Sequence, residues 1–441
     1  PPPPFFSPQD PPSRDPLWSR GLGDVYKRQI ILGDSGTANF DHEGRIDEIF
    51  SIDTDIGGND TITTGGGDNI VIGGTASDTI DTAADNDIVI GDSGHATFNS
   101  DLDTLSDTSH IGILRSIETI TPEIGDNDTI TTDEGDDIVL GGQGDDIIIS
   151  RLGDIVDHDI VLGDNGQVTF EEDGSILQAT TYVAHIGGSD TIETGNGKDI
   201  VIGGTADDLI DTGSDELGDT HRDIVLGDSG TANFDTEGRI DEIFSINTDI
   251  GDDDVITTGG GNDIVFGGTA QDRITTESGD DIVLGDSGHA TFNSDLGTLS
   301  DANHIGILRT IQTITPAIGD SDTIITDEGD DIVLGGQAGD SITASTTETA
   351  DNDIVLGDNG QVTFEVDGSI LEATTSDASI GGADEIYTYN GEDIVIGGTA
   401  HDTIDAGRDE SGDTPRDIVL GDSGTASVDS ERRIAESSSI T

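Results

Sequence analysis

The 441-residue chain carries 93 Asp and Glu against 16 Lys and Arg, a formal net charge of −77, with 63 glycines, no cysteine, no methionine and 4% aromatic residues. Such a charge cannot neutralise the phosphates of nucleic acid or of an anionic membrane surface. The absence of cysteine excludes disulfides, thiolate metal sites and cysteine nucleophiles, and no run approaches the roughly 18 consecutive apolar residues of a membrane span.

Acids this numerous ordinarily mark a disordered chain. Here they recur at regular spacing among Ile and Val pairs, which points to cation sites and to a thin core of Ile, Val and Leu.

Residues 1–29 stand apart. They hold eight of the 11 prolines and the only Trp (Trp18), and they lack the apolar h-region and cleavage site of a signal peptide. Arg20–Gln29, RGLGDVYKRQ, reads as translated sequencing-adapter read-through, and agreement with later copies begins only at Ile30 or Ile31.

From there two periods are nested. GDSGTANFD begins at Gly33 and again at Gly227, and its relative GDSGTASVD begins at Gly421, each 194 residues after the last. The G-D-(S/N)-G marks divide the chain into modules at 33–90, 91–162 and 163–226, then 227–284, 285–356 and 357–420, with 421–441 starting a third copy; the expected parent is a longer protein. Each module opens with a hairpin-like insert, such as TANFDHEGRIDEIFSI turning near Glu43 and Gly44, or QVTFEEDGSILQAT turning at Asp173 and Gly174.

Nine-residue units follow each insert. GGQGDDIII, Gly141 to Ile149, satisfies G-G-x-G-x-D-x-U-x at every defined position. In the first module Asp60, Asn69, Asp78 and Asp87 fall at position six, with Ile62, Val71, Ile80 and Val89 at position eight; the second copy has Asp254, Asp263, Asp272 and Asp281. Position eight should point inward from a short strand. The G-G-x-G half should turn sharply, because glycine permits φ > 0 and lets carbonyls approach a cation closely. Ca²⁺ accepts six to eight oxygens at about 2.3–2.6 Å and takes carboxylates and carbonyls together.

These runs resemble the RTX, or haemolysin-type, calcium-binding repeats of secreted bacterial proteins, over most of residues 55–420 apart from the inserts. The resemblance implies that two nonamers make one coil and that each ion is clamped between successive turns of a flank. It also implies an extracellular or cell-surface location reached by type I secretion.

The expected fold is all-β: parallel β-roll or β-solenoid segments of calcium-binding nonapeptides interrupted by β-hairpin inserts. The expected metal residues are Asp60, Asp78, Asp87, Asp128, Gly135, Asp137, Gly142, Gly144, Asp146, Asp190, Asp199 and Asp208 in the first copy. In the second they are Asp254, Gly261, Asp263, Asp272, Asp281, Asp322, Asp331, Asp340, Asp384, Asp393 and Asp402. The hairpin inserts, together with breaks in the phase, lead to an expectation of six short rolls rather than one continuous solenoid, and the nonamers depart from the pattern in two ways. Ala stands at position four in Ala76, Ala206 and Ala338, and extra residues break the phase before Asp159 and Asp223.

No catalytic site is expected. G-D-S-G places Ser35, Ser93, Ser229, Ser287 and Ser423 as in a serine protease, yet the motif recurs in every copy and alternates with Asn165 and Asn359, as a turn would. The histidines have no H-E-x-x-H spacing, and no G-K-(S/T) follows the glycine runs. Three roles remain open. The first is a calcium-stiffened stalk or adhesin-like segment that meets cell-surface or matrix components. The second is the secretion and folding tail of an enzyme or toxin. The third is an ice- or glycan-binding face built on pairs such as Thr61 and Thr63 or Thr129 and Thr131.

Overall fold

The computed structural model describes residues 28–99, 112–151, 155–213, 220–293, 307–346, 351–407, 417–428 and 434–439. Of residues 1–29, only Arg28 and Gln29 are among them. The described residues form strands and turns with no helix, as an all-β roll requires.

Each coil contributes two short strands, one of three or five residues to the first parallel sheet and one of three to the second. The first sheet has 13 strands and runs from Ile30–Leu32 to Ile418–Leu420; the second has 12 and runs from Thr61–Thr63 to Thr403–Asp405. The register keeps position eight opposite position eight from coil to coil, as in Ile31↔Val71, Val71↔Val89 and Ile62↔Ile80. Side chains alternate across a strand, so this residue points between the two sheets. There Ile62, Val71, Ile80, Val89, Ile130, Val139 and their successors make one apolar file, most of them completely buried.

The inserts do not separate the rolls. Their hairpins join edge to edge into a 14-stranded antiparallel sheet, from Gly36–Phe40 to Ile434–Ser439. Its inner row, Ala38↔Ile49, Ile49↔Ala96, Ala96↔Ile117 and Ile117↔Val168, continues through Val168↔Ala179 and Ala179↔Ala232 into the second copy. That row covers the outer face of the first parallel sheet in a second core with Ile70, Ile72, Ile90, Leu140 and Phe98. The molecule is therefore three-layered. Most strands of the middle sheet read I-V-I or I-V-L because both faces are buried, whereas strands of the outer parallel sheet bury chiefly the centre residue, as in T-I-T at Thr61–Thr63 and Thr129–Thr131.

The expected division into six short rolls is thus corrected to continuous sheets, and both departures from the nonamer pattern have a physical explanation. Ala76, Ala206, Ala270, Ala338 and Ala400 adopt φ of 70–75°, the left-handed region that glycine would supply, so the turn forms with an alanine held at a small local cost. The extra residues before Asp159 and Asp223 lengthen the loop from the second sheet to the first, and strands Ile160–Asp164 and Ile224–Asp228 resume the register against Ile138–Gly142 and Ile200–Gly204. A loop can grow there because its length does not alter the two strands it joins.

Candidate metal-binding turns

Each coil turns twice, once from the first parallel sheet to the second and once back, so the turns stack into two flanks. Every hairpin is inserted in the first kind of turn. There the chain passes from a glycine at position one, through either a plain x-(A/G)-x stretch or a hairpin, to an aspartate at position six.

Along this hairpin-bearing flank Asp60, Asp78, Asp128, Asp146, Asp190, Asp208, Asp254, Asp272, Asp322, Asp340, Asp384 and Asp402 form a ladder. The backbone N–H of each donates to Oδ1 of the next, at 2.7–3.1 Å. The opposite flank has its own ladder through Asn69, Asp87, Asp137, Asp159, Asp199, Asp223, Asp263, Asp281, Asp331, Asp353, Asp393 and Asp417, at 2.6–3.4 Å. Every expected aspartate falls on one of these two ladders. Asp159, Asp223, Asp353 and Asp417 are not among the expected residues, because the loop insertions hide the nonamer phase; their signal is the D-I-V tripeptide that opens eleven of the 13 strands of the first sheet.

The expected glycines divide differently. Gly142 and Gly144 belong to a plain turn of the hairpin flank, and Gly135 and Gly261 to the opposite flank, all with φ between 121° and 152°. Beside the ladder, a position-one glycine leaves room that a side chain would fill. A Cβ on Gly267 would lie 2.3 Å from the Gly285 carbonyl oxygen and 2.4 Å from Asp272 Oδ2; one on Gly227 would lie 2.1 Å from Asp254 Oδ2 and 2.6 Å from the Gly267 carbonyl oxygen. Carboxylate and carbonyl oxygens, all acceptors, therefore converge on each of these points. Gly267→Ala is expected to shift the calcium midpoint of folding upward several-fold, read by circular dichroism, because an overpacked methyl costs about 1–3 kcal/mol.

The carboxylates themselves are far from their usual state. Burial, with neighbouring aspartates adding to it, pushes Asp128 up to about 8 and Asp340 up to about 10. On the opposite flank burial and the Asp159 carboxylate push Asp137 up to about 9. Buried anions in such proximity demand a proton or a cation. Among the described residues no three His, Asp or Glu side chains form a metal site on their own; the acceptors that converge are carboxylate and carbonyl oxygens together, the mixture that calcium accepts.

A second set of aspartates, outside the expected metal residues, lies in the G-D-(S/N)-G marks. Asp164 accepts the Gly188 N–H at 3.0 Å through Oδ1 and the Thr205 N–H and hydroxyl, each at 2.7 Å, through Oδ2, tying the base of its hairpin to the next plain turn. Asp34, Asp92, Asp228, Asp286 and Asp358 are placed alike. The motif is a staple, and its serines and asparagines are turn residues. Its signal was an aspartate at position two, where the plain turns have glycine.

The family described as RTX calcium-binding nonapeptide repeat (4 copies) matches the chain at residues 57–78, 63–98, 125–154, 186–216, 251–274, 257–292, 319–344 and 380–410. No curated protein matches it.

Proposed function

From a chain that carries RTX calcium-binding nonapeptide repeats at multiple positions, we propose a calcium-stiffened rod, the stalk or adhesin-like segment of a secreted or surface-attached bacterial protein. Calcium would sit between successive turns, held by position-six aspartates and the carbonyls beside them. There it would supply the positive charge that the buried carboxylates lack.

The observation that carries the rod is the unbroken register between copies. Strand Ile200–Gly204 pairs with Ile224–Asp228, Leu209–Asp211 with Val255–Thr257, and Ile176–Thr181 with Gly230–Phe234, so all three sheets cross the 194-residue boundary together. A repeat that contacts only its neighbours adds length without adding a unique site. Each copy contributes six strands to the outer parallel sheet, which at about 4.8 Å per strand is about 29 Å of rod. Deleting residues 227–420 should shorten the calcium-loaded particle by that amount in small-angle scattering; an unchanged maximum dimension would sink the rod.

The ice-binding alternative is not favoured by the outer sheet. Its outward positions carry threonine on both sides of the buried residue only at Thr61/Thr63 and Thr129/Thr131, while neighbouring strands present Leu209/Asp211, Glu385/Tyr387 or Ile147/Ile149. A regular face of one side-chain type is missing.

A further inference from the structure

The two flanks look alike in sequence, since both present an aspartate just before a strand, but they differ in what faces the second carboxylate oxygen. On the hairpin-bearing flank Oδ2 of Asp78, Asp128, Asp146, Asp190, Asp208 and Asp254, and of the five aspartates that follow them on that ladder, is buried with no hydrogen-bond partner. All of them except the half-buried Asp402 are almost wholly enclosed; Asp254 and Asp272 are each 1% exposed. Position one of these turns is glycine throughout, and from Asp60 to Asp384 this leaves Oδ2 facing the glycine carbonyl of the next turn.

On the opposite flank position one is a hydroxyl residue in most turns, and the hydroxyl takes the second oxygen. Thr194 donates to Asp199 at 2.6 Å, Thr258 to Asp263 at 2.5 Å, Thr276 to Asp281 at 2.5 Å and Thr388 to Asp393 at 2.7 Å; Ser150 serves Asp159 in the same way. At Thr82 and Thr132 the hydroxyl faces Asp87 and Asp137 without meeting hydrogen-bond geometry, and Asp353 is left bare because its turn opens with Ala344. The threonine side chain also occupies the space that glycine leaves open on the other flank.

Asn69 reports on the same difference. It stands on the hydroxyl flank as a neutral rung, with Nδ2 donating to Thr64 Oγ1 at 2.9 Å and Oδ1 accepting the Gln29 N–H at 3.1 Å. The hydroxyl flank thus works with an amide in place of a carboxylate. The hairpin flank has aspartate at all twelve rungs.

We infer that calcium loads the hairpin-bearing flank alone, one ion in each of the spaces between its successive aspartate rungs, while the opposite flank is an ion-free spine held by Thr–Asp and backbone hydrogen bonds. This rests on the calcium reading above and narrows it. The spaces number eleven, one for each N–H to Oδ1 link of that ladder; loading of both flanks would roughly double the count.

The test is the amount of calcium bound per full-length chain at saturation, by equilibrium dialysis and elemental analysis, with circular dichroism of the same samples. The unaltered chain should bind close to eleven ions. Changing Asp223, Asp263 and Asp281 together to Asn, each imitating Asn69, should leave both the count and the β-rich spectrum unchanged. Changing Asp60→Asn, at the first rung of the hairpin flank, where Asp60 Oδ2 and the Gly73 carbonyl oxygen converge beside Gly33, should remove one ion and leave the fold intact. A count near twenty-two, or loss of ions from the Asp223/Asp263/Asp281 variant, overturns the one-flank assignment while leaving calcium binding in place. A chain that binds no calcium at all overturns both.

Discussion

In EDTA at pH 7.5 the chain is expected to show the circular dichroism of an unfolded, expanded polypeptide, and at ~5 mM CaCl₂, within the range of weak extracellular sites, that of a β-rich fold. The cause is the stacking itself. Neighbouring rungs bring carboxylates to about one strand spacing, roughly 5 Å, and two unit charges near that distance repel by about 1 kcal/mol in water and by several times more where water is excluded. On the hairpin flank ten of these side chains are at most 3% exposed, so solvent does little to relieve them. Folded domains retain only about 5–15 kcal/mol of net stability, less than a dozen such contacts oppose. An ion between two rungs turns each repulsion into attraction, and its binding free energy becomes folding free energy. Size-exclusion radius should fall together with the spectral change, and a folded spectrum in both conditions would remove the dependence.

Acid should replace calcium. Without the metal, lowering the pH from 8 to about 4.5 is expected to restore the β-rich spectrum, and raising it again to abolish it. Burial, with neighbouring carboxylates, lifts Asp92, Asp286 and Asp353 to about 9, Asp384 to about 8, and Asp78 to about 6. In the unfolded chain these groups return to the ordinary value of 3.8. Between 3.8 and the raised values the folded chain holds protons that the unfolded chain has lost, so stability falls as pH rises. It is fully present below about 3.8 and is lost progressively through about 6 to about 10. The slope is about 1.4 kcal/mol per pH unit for each group that differs in protonation, so a few of them titrating together suffice to unfold the chain near the lower end of that window. With saturating calcium the transition should disappear above pH 6. A metal-free chain that stays unfolded at pH 4.5, with no aggregation, would show that the carboxylates do not oppose folding.

Some expectations failed for a physical reason. The hairpins read in sequence as interruptions, because TANFDHEGRIDEIFSI and GGTASDTID share no period. In space they are the third layer, since Ile49, Ala96 and Ile117 need an apolar surface and the outer face of I-V-L strands needs a cover. The strand triplets carried that information: T-I-T has one buried residue, and I-V-L has three or nearly so.

Local chemistry was legible in the sequence because it repeats locally. The nine-residue spacing of Gly, Asp and Ile determines a turn, a strand and an inward side chain, and the charge of −77 determines that the partner is a cation. Relations between coils were not legible. Whether Asp254 meets Asp272 with a bare Oδ2, or Asp263 meets Thr258 with a capped one, depends on which flank a turn joins and which residue opens it, five residues before the aspartate or a hairpin away. Sequence periodicity fixes what each turn contains. Only stacking the coils decides which oxygens face a donor and which face another acceptor, and therefore where an ion is needed.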